Sequence, residues 1–312
     1  MKEYYEKRNR NFLTRRTPVI IRIDGKAFHT YTKRLNKPFD FGLIEDMQQT
    51  TKFLCENIQG CKFGYVQSDE ISLLLTDYDT FQTAAWFDYC QNKIESISAS
   101  MTTGFFNYFQ FRRYFTDGIR EHFNEEIDWE NFRISIGDIC NYFPLGKVQP
   151  ANFDSRCFNI PKEEVANYFI WRQQDATKNS ISMLAQSLYS HHELHGKNGN
   201  EMQEMSFQKG INWNDLPTSQ KRGTAVYLAQ TRKDLTGKIT FDKLKETVEV
   251  VWEDGERYGI YANEWKIDLE SELVKNGVLD PTIFGIEAKQ SDILKLATKA
   301  PGDGGRPTGA KD

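Results

Sequence analysis

Nowhere does the sequence stay apolar for the roughly 20 residues that a membrane-crossing helix needs, so no membrane partner is expected. Cysteine is scarce. The five that occur, Cys55, Cys61, Cys90, Cys140 and Cys157, are odd in number and widely spaced, without a C-x-x-C pair or a nearby histidine pattern. A disulfide framework and a structural zinc site are therefore not expected. The opening residues, Met1 to Arg8, are charged and lack the apolar centre of a secretory leader. Reduced thiols in a cytoplasm are the expected setting. Positive charge is not in excess either: the formal net charge of -4 excludes coating of nucleic acid by bulk electrostatics. A polynucleotide partner would have to be held by local basic clusters. No internal repeat is visible.

What is present is enough apolar and aromatic surface, 39% hydrophobic residues with six Trp, 14 Tyr and 22 Phe, for a real core in one large or two modest domains. Val19 to Asp24 alternates as a strand, with Val19, Ile21 and Ile23 on one face and Ile20, Arg22 and Asp24 on the other. A helix is expected from Gly42 to Ile58. Two short strands, Cys61 to Val66 and Ile71 to Leu75, flank Gln67-Ser68-Asp69-Glu70 and read as a hairpin with carboxylates at its tip. Apolar residues from Phe87 to Tyr108 recur at steps of three and four, giving a long helix. Phe132 to Ile136 alternates as a fourth strand. The resulting β-α-β-β-α-β order is an α+β, ferredoxin-like arrangement.

The second half is expected to be helical and loop-rich. A helix follows Pro161 to about Tyr189, and the polar stretch from Gly196 to Gly223 reads as a lid or substrate loop. Further strands are expected at Lys245 to Trp252 and Arg257 to Ala262. The implied organisation is a catalytic palm over 1–140, a helical and loop region over 141–299 packed on it, and a Gly- and Pro-rich tail over 300–312 expected to lack structure.

Carboxylates on rigid strand ends suit chemistry at phosphorus, which needs divalent cations to align oxygens and neutralise charge. Asp24 ends the first strand and Asp69 and Glu70 sit at the neighbouring hairpin tip, while Gly25 allows a main-chain carbonyl to serve as a further ligand. Taken singly, Asp-Gly after a strand and Ser-Asp-Glu between strands are also ordinary turn chemistry.

Arg22-Ile23-Asp24-Gly25-Lys26-Ala27-Phe28-His29 resembles the R-x-D-G-x-x-F-H signature of the tRNA-histidine guanylyltransferase-like family, and Gln67-Ser68-Asp69-Glu70-Ile71-Ser72 is similar to its Q-S-D-E-x-S hairpin. Asn36-Lys37-Pro38-Phe39-Asp40 falls where the family carries K-P-x-D. Trp171-Arg172-Gln173-Gln174-Asp175-Ala176 matches its W-R-Q-x-D segment, and the stretch from Lys209 to Gly223 is also similar. Histidine-specific members carry H-I-N-N just after that segment; here the residues are Thr177-Lys178-Asn179-Ser180, which resembles the broader branch that is not histidine-specific.

The resemblance implies a polymerase palm in which Asp24, the Gly25 carbonyl and Asp69 hold two Mg²⁺ ions, with Glu70 as a supporting carboxylate. It places Arg22, Lys26, Phe28, His29, Lys37, Asp40, Ser68 and Lys93 at the nucleotide and triphosphate sites. It places Arg172, Asp175, Lys178, Asn179, Lys209, Lys221 and Arg222 against RNA. The implied activity is 3′-to-5′ addition of nucleotides to the 5′ end of truncated tRNA or tRNA-like RNA, with activation by ATP or GTP, in a cytoplasmic homotetramer. A nucleotidyl cyclase using a similar palm and a non-catalytic RNA-binding relative are the competing readings.

Overall fold

The computed structural model describes residues 1–123, 150–235, 249–253 and 257–268. Strand β1 is Val19–Gly25, followed by the one-turn helix α1 (Phe28–Tyr31) and by α2 (Phe41–Asn57). The hairpin of β2 (Cys61–Gln67) and β3 (Glu70–Leu75) leads to α3 (Gln91–Phe123) and β4 (Phe153–Asn159). Then come α4 (Val165–Leu188), α5 (His191–Leu194), α6 (Gly199–Gln208), α7 (Thr218–Arg222), β5 (Thr224–Leu235), β6 (Glu249–Glu253) and β7 (Arg257–Asp268). The strands form one antiparallel sheet of order β4-β1-β3-β2-β5-β7-β6. The protein is thus a mixed α+β molecule.

Two cores sandwich the sheet. Val19, Ile21 and Ile23 pack with Met47 and Leu54 of α2 and Ile94 and Phe106 of α3, whereas Ile20 and Leu74 pack with Val165, Phe169 and Ile170 of α4. The strand interiors are hydrophobic on both faces because both are covered, and each fully buried Ile or Leu contributes roughly 1.5–3 kcal/mol. On β1, polarity returns toward the end of the strand, where Arg22 and Asp24 continue the face that Ile20 begins.

The expected fourth strand at Phe132 to Ile136 lies outside the described residues, as do Cys140 and the tail over 300–312. Among the described residues β1 is flanked instead by Phe153–Asn159, in register with Val19 opposite Asn159 and Asp24 opposite Asp154. Strands β4 and β5 come from beyond residue 140 yet extend the sheet on either side of β1 and β2, so the sheet continues across that position. The stretch from Gly196 to Gly223 is not a lid loop: it folds into α6 and α7, whose connecting residues Ile211, Trp213 and Leu216 pack on Ile181 and Leu184 of α4. Apolar residues at 202, 211, 213 and 216 were diluted among polar ones, and only packing on α4 gives them a common face. No helix among the described residues is long and apolar enough to cross a membrane.

Helix α2 starts where a side chain satisfies its free amides. The Asp40 carboxylate accepts from the Leu43 N–H at 2.8 Å and from the Asn36 N–H at 3.1 Å. Asp40→Ala is expected to lower stability by about 1 kcal/mol, the usual cost of losing an N-cap, and Asp40→Ser to recover most of it. Thermal unfolding measures both, and equal midpoints for Ala and wild type would show that the cap is dispensable.

Candidate active site

The β2–β3 turn is short and strained in the right place. Ser68 has a φ of 50°, which turns the chain so that the Ser68 hydroxyl donates to the Asp69 carboxylate at 3.0 Å. The Gly25 N–H donates to the Asp69 carbonyl at 3.1 Å, tying the end of β1 to the turn, and Asp24 lies opposite Glu70 in the β1–β3 register. The expected meeting of residues 24 and 69 is therefore present. Burial pushes the Asp69 carboxyl above the ordinary aspartate range; the Ser68 hydroxyl and a backbone amide pull it back, and the Asp24 charge pushes it further up. Among the described residues neither Asp24 nor Asp69 forms a salt bridge.

Gly25 is required by close approach: a Cβ there would fall within the Phe28 ring. That ring belongs mainly to the core. Phe28 is buried and lies 5.2 Å from the Phe153 ring and 4.7 Å from the Tyr31 ring, with one side left to a cavity.

This cavity, of about 410 Å³, opens beside the hairpin and falls in the size range of small-molecule sites. Ser68 and Asp69 form one side and His29, Lys37 and Asp40 another, while Asn179 comes from α4. His29 and Lys37 are exposed, with the His29 ring 3.0 Å from the Thr30 hydroxyl. Sequence patterning missed the remaining walls, Leu43 and Ile44 from α2, Met183 and Gln186 from α4, and Ser219 and Gln220 from α7. Their spacing in the chain carries no signal, because three separate helices supply them. Gly223 closes this side: its φ is 77°, and a Cβ would collide with the Tyr65 hydroxyl and the Val66 carbonyl, so no other residue fits where α7 meets the hairpin.

Several expected contacts lie elsewhere. Lys93 is exposed, with its ammonium 5.5 Å over the Phe87 ring, at the wrong end of the sheet. Its neighbour Glu95 accepts from the Cys157 N–H at 3.2 Å, and Cys157 pairs with Ile21, three residues or about 10 Å along the strand from the Asp24–Asp154 pair. Lys26 is exposed and does not line the cavity; its N–H donates to the Asn152 carbonyl at 2.8 Å. Arg22 does not line the cavity; its Nη2 donates to Glu70 Oε2 at 2.5 Å, while its Nε has no hydrogen-bond partner among the described residues.

Glu70 is met by two guanidiniums: one oxygen accepts from Arg22 Nη2, and the other lies 2.8 Å from Arg172 Nε as an ion pair without hydrogen-bond alignment. Burial raises the Glu70 carboxyl above the ordinary glutamate range, with Arg172 and then Arg22 pulling it down. Arg172, expected at an RNA-facing surface, is 2% exposed. The helical period groups Arg172, Asp175 and Asn179 on one stripe, but that stripe begins against the sheet, is partly open at Asp175 and is exposed at Asn179.

The other expected RNA contacts come from α4, α7 and the end of α6. Lys178 and Asn179 are exposed, whereas Ser180 is buried, accepting from the Trp213 indole N–H at 3.0 Å and donating to the Lys221 carbonyl at 3.1 Å. Lys221 and Arg222 stand 5.5 and 5.8 Å over the Trp213 ring, and Lys209 stands 5.3 Å over Tyr189. Burial and then the Arg222 charge lower the Lys221 ammonium from its ordinary range.

Comparison with known proteins bears directly on this geometry. The family model described as tRNAHis guanylyltransferase matches residues 1–161. A solved bacterial tRNA(His) guanylyltransferase-like protein in complex with ATP is 45% identical, with a TM-score of 0.59, over 72% of this chain and 86% of that one. Another, in complex with GTP, is 38% identical with a TM-score of 0.58 and covers 87% of this chain and 91% of that one. A probable tRNA(His) guanylyltransferase of Dictyostelium discoideum is 26% identical over 250 residues, 75% of this chain and 84% of the relative.

An α+β sheet with paired carboxylates at its strand ends and these neighbours defines an enzyme class, the nucleotidyltransferases. Within it, the chain belongs to the tRNAHis guanylyltransferase family.

Proposed function

We propose that this enzyme adds nucleotides in the 3′-to-5′ direction to the 5′ end of tRNA or tRNA-like RNA that has lost 5′ residues, guided by template pairing, as a member of the branch that is not histidine-specific. The observation that carries this reading is one cavity edged by the Ser68–Asp69 turn and closed by Asn179, so that the carboxylate corner and the α4 face open on the same space. Its apolar walls, Leu43, Ile44 and Met183, suit a purine base, and its polar edge suits the triphosphate of ATP or GTP. Four strands of the sheet, β4-β1-β3-β2 with α2 and α3 behind them, serve as the palm; α4, α6 and α7 carry the RNA-facing rim of Lys178, Lys209, Lys221 and Arg222. The enzyme acts as a homotetramer.

The donor set fits Mg²⁺. Among the described residues no group of three or more His, Cys, Asp or Glu side chains gathers for a metal, and Mg²⁺ does not need one: it binds through one or two carboxylates plus substrate phosphates and retains water. Asp24, Asp69 and the Gly25 carbonyl are hard oxygen donors, and burial together with the Asp24 charge raises the cost of ionising Asp69 without a cation beside it. When bound, the ions supply charge neutralisation at phosphorus.

The residues themselves bind and orient. Ser68 fixes the Asp69 carboxylate, the cavity walls select a nucleotide by shape, and the rim holds RNA so that its 5′-monophosphate faces the nucleotide. Activation by ATP or GTP joins the nucleotide to that phosphate with loss of pyrophosphate; the 3′-hydroxyl of an incoming nucleotide then attacks and displaces the activating mononucleotide. No protein nucleophile is needed.

Incubation with labelled 5′-truncated tRNA, Mg²⁺ and nucleotides tests the reading, with an extended RNA as the expected product. A cyclic nucleotide would make the enzyme a cyclase, and retarded but unextended RNA would make it a binding module.

A further inference from the structure

Arg172 is among the most enclosed charges of the protein, and its two ends lead in different directions. Nε lies 2.8 Å from Glu70 on β3, next to Asp69, and Nη2 lies 2.6 Å from Asp175 one turn further along α4. Asp175 in turn accepts from Asn179 Nδ2 at 3.3 Å, and Asn179 stands in the cavity wall across from Ser68 and Asp69. The Trp171 ring, 4.2 Å from the Arg172 guanidinium, covers the fork from outside.

These charges are not what fastens α4 to the sheet. Phe169 meets Phe63 edge to face at 4.8 Å, and Val165 and Ile170 complete an apolar seam that would hold the helix without ions. Enclosed ion pairs contribute little net stability relative to apolar replacements, because desolvation offsets their attraction. An apolar seam tolerates rotation and sliding of the helix, whereas a forked guanidinium between two carboxylates allows one orientation.

We propose that Arg172 is a positioning residue: through Glu70 on one side and Asp175 on the other it sets the rotation of α4, and so places Asn179 relative to the Ser68–Asp69 turn for nucleotide binding. The assignment rests on the reading of the cavity as the nucleotide site. It also moves Arg172 from direct RNA contact to the inside of the enzyme, where a lysine could satisfy only one of the two carboxylates.

Calorimetric titration of the full chain with ATP and with GTP in Mg²⁺ buffer tests it, using Arg172→Lys, Asn179→Ala and the double variant, with thermal unfolding alongside. Each single change is expected to weaken binding by about tenfold, and the double by no more than about twofold beyond the weaker single, because linked residues are not additive. Factors that multiply in the double variant, or an Arg172→Lys variant that binds normally and only unfolds sooner, would overturn the assignment and leave the nucleotide site standing. Absence of ATP and GTP binding by the unmodified chain would overturn both. If Arg172→Lys does not fold, Asp175→Ala, at a side chain 38% exposed, enters the same cycle with the same two outcomes.

Discussion

Asp69→Asn is expected to abolish nucleotide addition and to make the metal-free protein more stable. Both effects follow from one carboxylate. Removing a metal-binding charge forfeits several kcal/mol of transition-state stabilisation, so the rate is expected to fall by roughly 10³-fold or more. The Asp69 carboxyl is raised above its ordinary value by burial, with the Asp24 charge adding to it and no salt bridge to offset either. Above the pH at which it ionises in the fold, its charge costs stability, because the unfolded chain holds that charge in water; as pH falls through the raised value the folded state takes up the proton first and gains stability. Asparagine keeps the shape without the charge, and a higher unfolding midpoint is expected at neutral pH. Apparent Mg²⁺ affinity of the native enzyme should weaken as pH is lowered through the same window. Asp24→Ala is expected to abolish addition likewise. Retained turnover in either variant, or a lower midpoint for Asp69→Asn in the absence of metal, would remove the basis of the assignment.

Glu70→Ala has the opposite signature. It leaves Arg172, 3% exposed, and Arg22, 27% exposed, facing an empty position in the sheet–helix interface. Deleting one member of an enclosed ion cluster strands the charges left behind, and about 3–5 kcal/mol of stability is expected to go with it. Thermal unfolding should fall by at least about 6 °C. Glu70→Gln, which retains an acceptor for one guanidinium, should lose less than half as much. If the alanine variant unfolds at the native temperature, loss of Glu70 does not strand the two guanidiniums and its role returns to the metals.

The contrast between neighbours Asp69 and Glu70 shows how far patterning reaches. That both lie at a hairpin tip follows from two apolar runs with a polar tetrad between them, and that Asp24 meets them follows from strand alternation. Which of the two faces the cavity does not follow. Ser68 at positive φ turns Asp69 toward the cavity, while Glu70 enters the ladder and is met by an arginine from a helix about 100 positions later in the chain. The same limit explains Lys93 and Arg172. A helical period tells which residues share a stripe, and both lie where the period puts them; it does not tell which stripe turns to the sheet or how far along the strand a helix sits.

The stretch between Gly196 and Gly223 failed for another reason. Its polar, glycine-punctuated composition matches loops, yet Asn198 caps α6 reciprocally with Glu201, a local signal that was available at Asn198-x-x-Glu201. The capping pair starts α6, and the residues that follow it pack on α4 through Trp213.

By itself the sequence determined three strands, β1, β2 and β3, the acidic residues at their ends and the family to which they belong, because each is written in adjacent residues: alternation sets a strand, glycine permits a turn, aspartate follows it. The tertiary structure alone decided that Arg22, Glu70 and Arg172 face inward, that Lys93 stands at the far end of the sheet, and that α4 and α7 complete the cavity. Those outcomes depend on how amphipathic surfaces dock across long separations in the chain, and docking is governed by the fit of whole faces, which no short run of residues contains.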